Sequence, residues 1–137
     1  MREERWIFME TVKAYLHTPY RWAGDDFEGI DCSGLVVEGL KAAGLIAEHE
    51  DMTADELWRR YKKHETKETA VGCLAFWFTG SKATHVAVLI GPNHVITAHR
   101  GGHAIKTHEQ AMLRNAFVTY RPLDHRKSQP RIVDIFR

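Results

Sequence analysis

The covalent chemistry open to this chain starts with one cysteine. Cys32 stands in Asp31-Cys32-Ser33-Gly34, between a glycine-bearing loop and an apolar run. That context predicts a helix opening at Cys32, with Asp31 as its N-cap. Unpaired N–H groups and the positive end of the dipole gather at a helix start, and they favour a thiolate over a thiol. A thiolate is the nucleophile that covalent acyl transfer needs. Ser33 and Gly34 are small, so a substrate can approach the backbone closely. The N–H of Cys32 can also help hold a developing oxyanion. The alternative is a buried structural thiol, the commoner state of a lone cysteine. Cys73, inside the apolar run CLAFWF, reads as such an inert thiol.

A cysteine nucleophile needs a base within reach, and the base needs an orienting partner. Five of the nine histidines (His85, His94, His99, His103 and His108) fall in one stretch. His85 follows Thr84 at the start of THVAVLI, the most apolar predicted strand, and strands place side chains precisely. If Gly91-Pro92-Asn93 is a hairpin loop, Ile90 opposes His94 and His85 opposes His99 on one face of the sheet. Thr97 shares that face. Either His99 or Thr97 can then touch the His85 ring, and a shift of register by one residue would remove both. His94, His103 and His108 read as surface residues.

The elements that must position these groups are legible in outline. Phe8, Val12, Tyr15 and Leu16 recur at helical spacing from about Arg2 to Leu16. His17-Thr18-Pro19 ends that helix. Tyr20 to Ile30 reads as a loop. A second helix is predicted from Cys32 to about Ala43, with Gly44 as its C-cap. Thr53-Ala54-Asp55-Glu56 is a capping box opening a third. Strands are predicted at Cys73–Phe78, Thr84–Ile90, His94–His99 and Phe117–Tyr120, with a short one at Ala104–Thr107 and an edge strand within Ile132–Phe136. Helices followed by an antiparallel meander indicate an α+β domain.

Composition limits the function classes. The 137 residues suit one domain spanning the chain. Nineteen basic against eighteen acidic residues give a net charge of +1, so nucleic acid is not an expected partner. No apolar run reaches the length of a membrane span. Two cysteines are too few for a disulfide framework. The opening MREERWIFME lacks the pattern of a secretory signal.

Four segments carry a resemblance. Pro19-Tyr20-Arg21-Trp22-Ala23-Gly24, Asp31-Cys32-Ser33-Gly34-Leu35, Gly72-Cys73-Leu74-Ala75-Phe76 and Thr84-His85-Val86-Ala87-Val88 follow one another in order. Together they resemble the NlpC family of papain-like cell-wall cysteine peptidases, over about Val12 to Tyr120. The resemblance implies helices, with the nucleophile at a helix N-terminus, packed on a central antiparallel β-sheet. It implies a thiol protease that hydrolyses amide bonds in peptidoglycan stem peptides, of the D-γ-glutamyl–diaminopimelate endopeptidase type. Cys32 would be the nucleophile and His85 the base. Tyr20 matches a tyrosine whose hydroxyl lines the site, although it also suits a packed aromatic. Asp31 and Ser33 match positions that hold the free amino end of the stem peptide, with Trp22 and Thr84 beside them as substrate-binding residues. No metal or cofactor is implied.

Two positions depart from the family pattern. The family usually carries His, Glu, Asn or Gln where this chain has Thr97, so His99 becomes the preferred third residue and Thr97 the alternative. Cys73 stands where an aspartate is common. A bare domain of this kind looks like a phage tail or gene-transfer-particle peptidase. On that reading it is made in the cytoplasm without a signal peptide, is associated with particle proteins, and acts on the wall from the periplasm.

Three other readings stay open. The same Cys–His chemistry could serve an amidase or acyltransferase on a non-wall substrate. The fold could persist in an inactive tail-structural protein. His99 and His103, with Cys32 or His85, could form a zinc-binding module, although Gly101-Gly102 interrupts that segment.

Overall fold

The computed structural model describes residues 2–26, 29–98 and 104–137. Helix α1 (Glu3–Ala14) buries Phe8, Met9 and Val12, and its first-turn Glu3 and Glu4 complement the helix dipole. It stops before the expected Leu16. His17 takes a φ of 72°, and the chain turns toward Pro19. The following stretch, expected to be loop, carries a small antiparallel ribbon of β1 (Asp25–Asp26) and β2 (Gly29–Ile30).

Helix α2 (Cys32–Ala42) begins at the predicted residue. It buries Leu35, Val36, Val37 and Leu40. A Cβ on Gly39 would come within 2.8 Å of the Phe8 ring, so this glycine lets α1 and α2 pack closely. Helix α3 (Ala54–Tyr61) opens with the expected capping box between Thr53 and Glu56 and runs into a 3-10 turn at Lys62–His64.

The remaining elements are β3 (Glu65–Thr66), β4 (Leu74–Thr79), β5 (Lys82–Gly91), β6 (His94–Ala98), α4 (His108–Arg114), β7 (Val118–Pro122) and β8 (Arg131–Val133). The six strands form one sheet in the order β3-β8-β4-β5-β6-β7, antiparallel throughout. Helices on one side of an antiparallel sheet make the α+β architecture that the sequence indicates. Along β4 and β5 alternate residues face opposite ways. Leu74, Phe76, Val86 and Val88 join the helices in the larger core. Ala75, Trp77, Ala87 and Leu89 form a second cluster on the other face, with Leu123 packed against it.

Three expectations need correction. The last strand is not at the sheet edge. β8 lies between β3 and β4, and Arg131 grips Glu65 of β3 through two bonds of 2.8 and 2.7 Å. Ala104–Thr107 is not a strand. Thr107 instead caps α4 through a second capping box with Gln110, a signal that the short apolar pair Ala104-Ile105 had masked. Gly91, not Ile90, opposes His94, because the pairing shifts between Leu89 and Gly91. Past that irregularity the pairs Leu89–Val95 and Val88–Ile96 restore the expected register. No helix among the described residues is long and apolar enough to cross a membrane.

Candidate active site

The start of α2 is held mainly by Asp31. Its Oδ1 accepts from the Gly34 N–H at 2.7 Å and from the Ser33 hydroxyl at 3.3 Å. Its Oδ2 accepts from the Ala23 N–H at 3.0 Å. One carboxylate therefore caps the helix and ties it to the Tyr20–Gly24 loop. Two glycines make that join possible. A Cβ on Gly34 would run into the Gly24 carbonyl oxygen, and a Cβ on Gly24 would run into that of Gly29. Ala23 adopts a φ of 60°, a left-handed conformation that alanine rarely takes. Burial raises the Asp31 pKa, while the bonds from Gly34, Ala23 and Ser33 pull it down.

Cys32 opens onto a cleft of about 710 Å³. The cleft gathers Tyr20, Trp22, Asp31, Ser33, Thr84 and His85 around it. Seven residues named from the sequence thus share one cavity. Trp22 is half exposed at its mouth, while Tyr20 and His85 are buried. The Thr84 hydroxyl lies 3.1 Å from that of Thr79.

The thiol does not rest as the helix start alone suggests. Burial pushes its pKa up to about 11, and the Asp31 carboxylate adds to the rise. Backbone hydrogen bonds from Val86 and Ser33, and the positive charge of Arg126, oppose it without cancelling it. Desolvation outweighs the helix-terminal field here, so at neutral pH Cys32 rests as a thiol. The Tyr20 hydroxyl is held well above its usual range, chiefly by burial and then by Cys32 and Asp31. It stays protonated and can donate a hydrogen bond. Cys73 is also a free thiol, fully enclosed just before β4.

His85 lies on β5 with Thr97 of β6 beside it. The Thr97 hydroxyl donates to the Val86 carbonyl at 3.1 Å. Its oxygen is 3.4 Å from His85 Nε2, a long contact. Since the hydroxyl proton is spent on Val86, its oxygen suits an Nε2–H donor, which leaves Nδ1 as the basic nitrogen. His99 and His103 lie outside the described residues. His94 and His108 are exposed, as expected.

Sequence reasoning missed the segment joining β7 to β8. Trp77 packs against His85 at 5.3 Å between ring centroids. The ring of His125 sits edge-on to both, 5.1 Å from Trp77 and 5.8 Å from His85. Burial lowers the His125 pKa, so this second ring is neutral at physiological pH. Arg126 reaches the cleft wall. Leu123 to Pro130 reads LDHRKSQP, a polar stretch with no periodicity. Nothing local in it marks a return across the sheet to the cysteine.

Known proteins share the family and the fold. The chain is 33% identical over 100 residues to the bifunctional muramidase/DL-endopeptidase CwlT of Bacillus subtilis, covering 70% of this chain and 29% of that protein. It spans less than a third of the length of the curated relatives it matches. Its fold matches the P60 domain of a Mycobacterium avium subspecies paratuberculosis antigen, with a TM-score of 0.73 at 18% identity over 99% of this chain and 97% of that one. It also matches RipD of Mycobacterium tuberculosis, described as a non-catalytic NlpC/p60 domain protein adapted to peptidoglycan binding, with a TM-score of 0.68 at 14% identity over 98% and 99% of the two chains. The NlpC/P60 family pattern covers residues 17–133, and the chain belongs to that family.

Proposed function

We propose that this protein is a peptidoglycan hydrolase, a cysteine endopeptidase that cuts stem peptides at the D-γ-glutamyl–diaminopimelate bond. The observation that carries the reading is the shared cleft. Cys32 at the first residue of α2 and His85 on β5 line it together. Family membership and the similarity to a DL-endopeptidase support the substrate class.

The reaction follows from the site. His85 Nδ1 takes the Cys32 thiol proton, and Sγ attacks the scissile carbonyl. The Cys32 N–H and the protonated Tyr20 hydroxyl stabilise the oxyanion. His85 then returns the proton to the leaving amine. Water, deprotonated by the same ring, hydrolyses the thioester. Thr97 is the orienting residue that the described contacts support, and Trp22 forms the wall on which the peptide lies. The Asp31 carboxylate accepts three donors from its own chain, so its first task is to shape the loop. Any hold on the substrate's amino end is a second. The place of action is the cell wall, where this substrate lies.

A second reading is favoured by the raised thiol pKa and the long Thr97 contact. On that reading the cleft binds stem peptides without turning them over. Purified stem-peptide fragments incubated with wild type and Cys32→Ala, analysed by mass spectrometry, test both. Cleavage by wild type alone is expected and identifies the bond. Binding by both proteins with cleavage by neither would establish the second reading.

A further inference from the structure

We infer that Arg126 is a carboxylate-binding residue of the cleft, selecting peptides that carry a free carboxylate next to the amide bond presented to Cys32. The inference takes its substrate from the proposed peptidase reading and adds a determinant of specificity.

Arg126 stands on the ridge between two cavities. It lines the cleft that holds Cys32 and His85. It also lines a second cavity of about 680 Å³ on the far side of its own segment. The ridge is fixed at several points. Trp77 Nε1 donates to the Ser128 carbonyl at 3.1 Å, and His125 Nδ1 lies 2.9 Å from the Pro122 carbonyl. Arg126 directly follows His125, whose ring is wedged against Trp77 and His85. The backbone that carries Arg126 is thus tethered to the same aromatic cluster that supports the candidate base.

The charges of the cleft leave Arg126 a vacancy to fill. Arg5, Arg59, Arg60 and Arg131 each pair with a carboxylate of the chain. Lys82 and Arg126, the cations on the cleft walls, take part in no ion pair among the described residues, and of the two it is the Arg126 charge that bears on Cys32. The carboxylates on the same walls are engaged with backbone donors: Asp31 with Gly34 and Ala23, Glu56 with Thr53, and Asp51 with Met52. A substrate carboxylate entering here meets three negative charges, and a cation must offset them. A guanidinium suits that task, because its planar fork takes a carboxylate through two parallel bonds. Its charge is felt at the Cys32 sulfur, which places it near the reacting atoms. A γ-linked glutamyl residue presents such a group, since its α-carboxylate stays free beside the bond to be cut.

The test uses two synthetic γ-D-glutamyl stem tripeptides that differ only in the α-position, one a free acid and the other a carboxamide. Calorimetric titration of each into Cys32→Ala measures binding without turnover, and kcat/KM on the active chain follows. Loss of a charge-assisted pair corresponds to roughly tenfold to a hundredfold in affinity. The acid is therefore expected to bind at least about tenfold tighter than the amide. Adding Arg126→Gln should bring the acid down to the amide, and Arg126→Lys should restore part of the difference. In the active chain the change should fall on KM more than on kcat. Equal binding of acid and amide, or equal weakening of both by Arg126→Gln in a protein that melts normally, would overturn the inference. Discrimination without cleavage would leave Arg126 its role and remove the peptidase reading. Cleavage without discrimination would do the reverse. Failure of both peptides to bind a folded protein would end both.

Discussion

The helix side of the cleft and its sheet side are held by different means. On the helix side, Asp31 makes three short contacts within the span from Ala23 to Gly34, and two glycines allow backbone to touch backbone. On the sheet side, His85 meets Thr97 at 3.4 Å and leans on Trp77 and His125. The position of Cys32 follows from residues close in sequence, whereas that of His85 depends on three strands and a returning segment. With backbone packed on backbone at Gly24 and Gly34, the helix side should tolerate almost no substitution of its frame. The sheet side should lose activity gradually, because several weaker contacts share the task.

The largest effect expected is on turnover. Cys32→Ala should abolish cleavage while changing stability by less than about 1 kcal/mol, since alanine suits a helix start. A cleaving Cys32→Ala protein would place the chemistry elsewhere. His85→Ala should lower kcat by about a hundredfold to ten-thousandfold, the range of a general base. If it costs less than tenfold, the sheet side does not hold the base.

Breaking the frame comes next. Gly34→Ala drives a Cβ into the Gly24 carbonyl oxygen. It should destabilise the fold by about 2–4 kcal/mol, read as a shift of the denaturant midpoint. A neutral result would mean that the loop moves aside easily and that the helix side is as yielding as the sheet side.

Thr97→Val keeps the shape and removes the hydroxyl. It should lower kcat about tenfold with little change in KM. Comparison with His99→Ala ranks the two candidates for orienting His85, and a deeper loss from His99→Ala would return that role to it.

The smallest effect concerns alkaline stability. A thiol whose folded pKa is raised favours the folded state, and that contribution is complete below its ordinary value of 9. It is lost as pH rises through about 11. The thermal stability of wild type relative to Cys32→Ala should therefore decline between those pH values. A constant difference would mean that the sulfur is better solvated than its enclosure indicates.

Helix starts were the most readable features. Asp31 before Cys32 and Thr53 before Glu56 form caps as their spacing predicts, because a cap is a hydrogen bond within one turn. Short apolar runs bounded by turn residues located β4, β5 and β6 for a similarly local reason. The same local logic extended to Thr107 and Gln110, where a strand reading displaced a legible capping box.

Sequence alone determined the class of chemistry that this chain can offer: a cysteine at a capped helix start and a histidine on an apolar strand. That Gly34 serves to seat the helix on the Gly24 carbonyl, rather than to admit a substrate, came from the fold. Tertiary structure decided what is not written within one turn or one strand. It placed β8 inside the sheet, because Glu65 and Thr66 supply a further strand to pair with it. It raised the Cys32 pKa, because desolvation depends on every element around the cleft rather than on the helix it opens. It carried His125 against the His85 ring and Arg126 to the cleft, because the return from β7 to β8 is pinned by Trp77, far from them in sequence.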